Sequence, residues 1–170
     1  MTGLGLELTQ RQRTLLSALY PVLLLFILNP VMELVANSWP LNFGDTRWRF
    51  GFLGAVLSAV LPIIVGLGLV ALVASMLGHR GTIRAVAVGG LLATLTLLGA
   101  GLLFGLDALQ VRGMVRVNTR DLFDATTFKT LLMTALLIPV SAWLAVKSWE
   151  ASRGGKAADR EPKAGLVVGQ

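Results

Sequence analysis

Four long stretches without a charged side chain dominate the sequence and restrict the folds open to it. They comprise 19 residues between Arg13 and Glu33, 29 between Arg49 and His79, 22 between Arg84 and Asp107, and 17 between Lys129 and Lys147. A helix of about 20 apolar residues crosses the hydrocarbon core of a bilayer. Because lipid offers no partner for an open backbone, we expect each stretch to be a transmembrane helix.

The sequence therefore predicts an all-α polytopic membrane protein with four transmembrane helices in one domain, residues 1–150. The spans are placed at about 14–35, 51–77, 85–106 and 129–147, and residues 151–170 form a polar cytoplasmic tail. The first run continues through Met32, and no small-residue cleavage pattern closes it. We interpret it as a retained span and not as a cleaved signal peptide.

The distribution of charge predicts that both termini are cytoplasmic. If the N-terminus, the turn at 79–84 and the tail share one side, that side carries nine Lys and Arg with four acids. The other side carries six basic residues and five acids. Cytoplasmic loops tend to be richer in Lys and Arg. We expect a multi-pass protein of the bacterial inner membrane, and we attribute its net charge of +6 to the loops and not to nucleic-acid binding.

The composition excludes several kinds of chemistry. The chain has no cysteine, which removes disulfides and thiolate metal sites, and its single histidine, His79, cannot build a bis-histidine haem site in one copy. No phosphate-binding glycine loop, nucleophile elbow or zinc-binding HExxH motif occurs. We therefore predict no enzyme, no catalytic residue and no metal site. A bound lipid or pigment stays compatible with the sequence, and His79 could ligate a pigment magnesium or, as we favour, face the lipid headgroups.

Small residues within two of the spans indicate where helices could approach closely. In lipid, faces of Gly and Ala permit tight helix packing, although such residues are also common in membrane helices generally. The candidates are Gly51, Ala55 and Ala59 in the second span and Ala85, Gly89, Ala93, Gly101 and Gly105 in the third.

The charges nearest to the spans offer two further candidates. Glu33 lies near the outer end of the first span, where it could bind a proton or cation, or, as we favour, meet water or an arginine of the outer loops. On that same side, a short connection and a longer one carry charges of both signs, namely Asp45, Arg47, Arg49, Asp107 and Arg112. Together with Glu33 they could form ion pairs or a docking face, or stay separately solvated.

The stretch 41–72 resembles the HpsJ-type membrane proteins of cyanobacteria. The resemblance rests on a polar connection with Asp45 and Trp48 that runs into a span containing Leu61, Pro62 and Gly66. It implies a small multi-span protein associated with polysaccharide export and surface motility, and it supplies no catalytic residues.

We therefore expect a non-catalytic accessory or scaffolding subunit that packs against a larger membrane complex, photosynthetic or respiratory. Its partners would be the lipid bilayer and other membrane subunits, and not nucleic acid. The alternatives are a small oligomeric transporter or channel, for which Glu33 is the candidate site, and a component of envelope polysaccharide export.

Overall fold

A computed structural model describes residues 9–158, with side chains described through Arg153. This part of the chain is helical: α1 spans Gln10–Ser38, α2 Thr46–Leu77, α3 Arg80–Arg112 and α4 Arg120–Ala158, and a short 3-10 turn covers Val117–Thr119. All four long helices are long and apolar enough to cross a membrane. The predicted all-α fold is thereby confirmed, with four helices that are long and apolar enough to span a membrane.

The helix ends follow from local residue chemistry. The carboxylate of Asp45 accepts a 2.8 Å hydrogen bond from the backbone N–H of Arg47 and caps α2. At the other end of α2, Gly78 adopts a left-handed backbone with φ of 72°, which glycine tolerates best. Because α3 begins at Arg80, the turn between α2 and α3 is very short, and the two helices are antiparallel neighbours.

Helices α2, α3 and α4 form the core, and α1 lies outside it. The largest buried cluster joins α2 and α3, with parts of α4 packed against it: Leu53, Leu57, Val60, Ile64, Ala93, Leu97, Ala100 and Phe104. Among the described helices, α1 contacts α2 alone, and its one buried residue is Ser38. Helix α1 therefore leaves most of its surface open to lipid or to another protein.

Small residues recur at every seventh position on α3 and on α4, and two pairs of them, Thr94 with Ser141 and Gly101 with Thr134, are in contact across the α3–α4 seam. On α3 the recurring residues are Ala87, Thr94, Gly101 and Ala108, and on α4 they are Thr127, Thr134, Ser141 and Ser148. At its centre the hydroxyl oxygens of Thr94 and Ser141 lie 2.9 Å apart. A seven-residue repeat keeps one seam facing its partner along two long helices, and small residues let the backbones approach.

Helix α4 is longer than the predicted fourth span. It continues to Ala158, eight residues into the segment predicted as a polar tail. At the start of this continuation Ser152 is only 2% exposed, and its hydroxyl donates to the carbonyl of Trp149 at 2.8 Å within the helix. The rest of the predicted tail, 159–170, lies outside the described residues.

Candidate functional site

Four of the small residues predicted to pack helices lie at the α2–α3 contact or at the α3–α4 contact. Gly89 faces α2, where an added Cβ would lie 3.1 Å from a methyl carbon of Leu67. Gly101 faces α4, where a Cβ would lie 2.9 Å from the Thr134 methyl. Gly105 also faces α4, and Ala93 lies buried in the α2–α3 core.

The other predicted packing residues do not lie in tight helix contacts. A Cβ at Gly51 would meet nothing within 4 Å, and Ala85 is exposed. The four-residue spacing used to select them therefore does not mark a helix contact at either position. Ala55 and Ala59 line a groove between α1 and α2, described below.

The charged residues near the α1–α2 and α3–α4 connections form two separate ion pairs. Arg49 of α2 contacts Asp107 of α3 through Nε–Oδ2 at 2.7 Å and Nη2–Oδ1 at 2.6 Å. Arg112 does not join this pair but bonds to Asp124 of α4 at 2.6 Å. The Asp107 side chain is 4% exposed, whereas that of Asp124 is 38% exposed. The first pair therefore joins α2 and α3 through a buried carboxylate and an arginine that is 34% exposed, and the second joins α3 and α4 at the surface.

The remaining members of the predicted charged cluster lie elsewhere. Asp45 is used as the cap of α2, and Arg47 contributes its backbone N–H to that cap. Glu33 is separated from the cluster altogether: its Oε1 accepts a 2.8 Å hydrogen bond from Nδ2 of Asn29 on the same helix. No ion pair to Glu33 occurs among the described side chains.

His79 is engaged by a residue of α1. The Tyr20 hydroxyl lies 3.1 Å from Nδ1 of His79, and the two rings stack with centroids 5.9 Å apart. The contact fixes α1, at Tyr20 in its N-terminal half, against the turn between α2 and α3. A structural contact thus occupies one of the two ring nitrogens of the proposed pigment ligand.

The main cavity near α1 is a groove between α1 and α2 of about 540 Å³. We call it the α1–α2 groove. Its walls combine apolar residues with four polar ones: Phe26, Asn29, Pro30, Glu33, Leu34 and Asn37 from α1, and Ala55, Ser58, Ala59 and Pro62 from α2. It is open on one side, since neither α3 nor α4 contacts α1.

Three polar side chains form a stripe along the α1 wall of this groove. Asn29, Glu33 and Asn37 are spaced four residues apart, so they lie on one face of the helix. All three are exposed in the single chain. Leu25, Phe26 and Val35 around them are exposed and apolar, so the stripe is a narrow polar surface on an otherwise lipid-compatible helix.

The depth of Glu33 follows from contacts between neighbouring helices. An added Cβ at Gly66 would lie 2.6 Å from Cγ1 of Ile27, so these two residues are level on antiparallel helices. Six residues further along α1 is Glu33, and six residues back along α2 is Val60. Val60 lies 11 residues from Arg49, which is about 16 Å along a helix.

The contact between Leu67 of α2 and Gly89 of α3 shows which residues of these two helices are level with each other. Seven residues back from Leu67 is Val60, and seven residues on from Gly89 is Thr96. Thr96 lies at the middle of the 22-residue uncharged run of α3. Glu33 is thus level with the centre of the three-helix core and not with its outer edge, where its position in the first span had suggested it would lie.

Two prolines add carbonyl groups along the same groove. Pro30 and Pro62 lie within helices and lack an N–H, so the carbonyls four residues earlier, at Phe26 and Ser58, lose their helical partner. All four residues line the α1–α2 groove. The site therefore offers a carboxylate, two amides, a hydroxyl and two backbone carbonyls without a helical N–H partner.

No protein-family model, curated protein or solved structure matches the chain. The resemblance to the HpsJ-type proteins therefore stays a prediction. The features that define the site come from this chain's own geometry.

Sequence reasoning selected Glu33 but missed the residues that give it its setting. Asn29 and Asn37 could have been found, because their spacing from Glu33 is that of one helix face. Ser58 could not, since its position beside Glu33 depends on the register between α1 and α2. Gly90 was also missed; an added Cβ there would lie 3.2 Å from the Ala145 backbone nitrogen on α4.

Proposed function

We propose that the protein is a non-catalytic, membrane-embedded accessory subunit that holds a neighbouring membrane protein through the α1–α2 groove. The observation that carries the proposal is the polar stripe Asn29, Glu33 and Asn37, which lies at membrane depth on a helix packed on one side only. In hydrocarbon, polar side chains without partners are costly, and contacts between helices often satisfy them.

The rest of the architecture supports a holding role. The tight α3–α4 seam and the Arg49–Asp107 pair hold α2, α3 and α4 together as a rigid base. Helix α1 is attached to this base through α2. The groove is about 16 Å long from Phe26 to Asn37, which is enough for about three turns of a partner helix. Its volume of 540 Å³ suits side chains better than a single water or ion, which occupies about 30 Å³.

Site-specific photo-cross-linking in the native membrane tests this proposal. A photoreactive residue at Asn37 faces the groove, and the same residue at Leu102, which is 71% exposed on α3, serves as the matched control. We expect Asn37 to give one discrete protein adduct and Leu102 to give lipid adducts. Lipid adducts at both positions would overturn the proposal.

The depth of Glu33 favours one second function, a small oligomeric transporter or channel. Intramembrane carboxylates commonly mark proton or cation pathways. Liposomes containing the purified protein would then show a proton or sodium flux that Glu33→Gln abolishes. Flux that is absent, or that is equal in the variant, would exclude this function.

We further propose that both termini are cytoplasmic and that the membrane is a bacterial inner membrane. Support comes from the excess of Lys and Arg on the side that holds the α2–α3 turn. This orientation would place the Arg49–Asp107 pair near the outer face.

A further inference from the structure

We infer that the α1–α2 groove receives a transmembrane helix of a different protein, and that this helix brings a lysine or arginine to the level of Glu33. The inference rests on the proposed function and adds the chemistry of the partner. It follows from the charge of Glu33, from the charges present at its depth, and from the shape of the groove.

No cationic side chain that the structure describes pairs with Glu33. Among the described side chains its hydrogen-bond partner is the neutral amide of Asn29. Arg49, a basic residue of the adjacent helix, is paired with Asp107 about 16 Å away along α2. A carboxylate at membrane depth is commonly paired with a basic side chain or protonated.

Another copy of this chain cannot supply the cation, because its own spans carry no basic side chain. The four uncharged runs, with their 19, 29, 22 and 17 residues, contain neither Lys nor Arg. A second copy in the same bilayer would therefore present no basic side chain at the level of Glu33. In a two-fold symmetric contact it would bring its own Glu33 towards the first, and like charges repel.

A basic side chain in the groove would be held by several oxygen acceptors besides the Glu33 carboxylate. Asn29, Asn37 and Ser58 offer oxygen acceptors on both walls beside the Glu33 carboxylate. The three N–H donors of a lysine or the five of an arginine could be shared among these oxygens. A charged pair with additional hydrogen bonds is the arrangement in which burying two charges becomes favourable.

The test measures association of the full-length protein with synthetic transmembrane helices in phosphatidylcholine bilayers by energy transfer. The guests are otherwise identical leucine-rich helices with Lys, Leu or Glu at the central position. We expect the Lys guest to bind about 3- to 15-fold more tightly than the Leu guest. The preference should vanish in Glu33→Gln.

A charge reversal protects the test against a variant that merely misfolds. Glu33→Lys should prefer the Glu guest, which a misfolded protein would not do. Equal binding of the Lys and Leu guests, or a Lys preference that survives in Glu33→Gln, would overturn the inference. So would energy transfer between two labelled copies of the chain that depends on Glu33. In any of these outcomes a protein adduct at Asn37 would still support the docking function.

Discussion

Arg49 and Asp107 join α2 to α3 through two hydrogen bonds of 2.6 and 2.7 Å, with the carboxylate almost fully buried. A guanidinium and a carboxylate in this geometry match each other in both direction and charge. Removing the guanidinium leaves the Asp107 carboxylate, whose side chain is 4% exposed, without its partner. The pair is therefore expected to stabilise the fold more than the exposed pairs do.

Arg49→Gln should lower the melting temperature of the detergent-solubilised protein more than Arg112→Gln does, because only the first leaves a buried carboxylate unpaired. The second substitution is a matched control, because it breaks an arginine pair of the same type at an exposed position, where such pairs contribute about 0–1 kcal/mol. Thermal unfolding followed by tryptophan fluorescence checks the comparison. Equal shifts for the two variants would contradict a special role for the buried pair.

Gly90→Leu should destabilise the α3–α4 seam by about 1–3 kcal/mol, as overpacking of a tight contact does. An added Cβ at Gly90 would lie 3.2 to 3.3 Å from the Ala145 backbone, which cannot move aside as a side chain can. Gly99→Leu on the same helix is the control, since a Cβ there meets nothing within 4 Å. Unfolding by increasing dodecyl sulfate measures the difference; a similar loss in both variants would place the seam elsewhere.

Gly66→Leu should separate α1 from α2 while the three-helix core stays folded. The new side chain would collide with Ile27, whereas Gly68→Leu points into open space and serves as the control. Because the chain has no cysteine, a Tyr20→Cys, His79→Cys pair reports whether α1 is docked. We expect a short bifunctional maleimide to cross-link the pair in the Gly68→Leu background and only weakly in Gly66→Leu. Efficient cross-linking in both would show that Gly66 is not the contact.

Single cysteines placed in the two turns test the orientation. In right-side-out membrane vesicles, a membrane-impermeant maleimide should label Asn118→Cys, which lies in the turn before α4. Gly81→Cys, at the start of α3, should be labelled only after the membrane is opened. The reverse pattern would place the termini outside.

The four helices could be predicted from the sequence because charge-free length is a property of each helix alone. The pairing of helices could not be predicted in the same way. The position of Glu33 near the end of its own apolar run indicated an interfacial carboxylate, but the contact between Gly66 and Ile27 places it level with the core centre. Register between helices depends on contacts that the pattern of either helix leaves open.

The α3–α4 seam was predicted only in part, at Gly101 and Gly105, for a different reason. Spacing of four residues selected Ala85, which is exposed, whereas spacing of seven would have selected Thr94 and Ser141, which lie in contact. A seven-residue period follows one seam along two long helices, and a four-residue period drifts away from it. Searching the sequence for both periods would have found most of this interface.

The mass of the gently purified particle tests the central claim most directly. Native mass spectrometry of the protein in mild detergent, after removal of its affinity tag, should give a particle heavier than the 18.1 kDa chain, containing a different membrane protein in fixed ratio. That second protein should be lost when Asn29, Glu33 and Asn37 are replaced together by Leu, and retained when Leu102 is replaced by Ala. A particle of 18.1 kDa, or masses that are only multiples of it, would contradict the account.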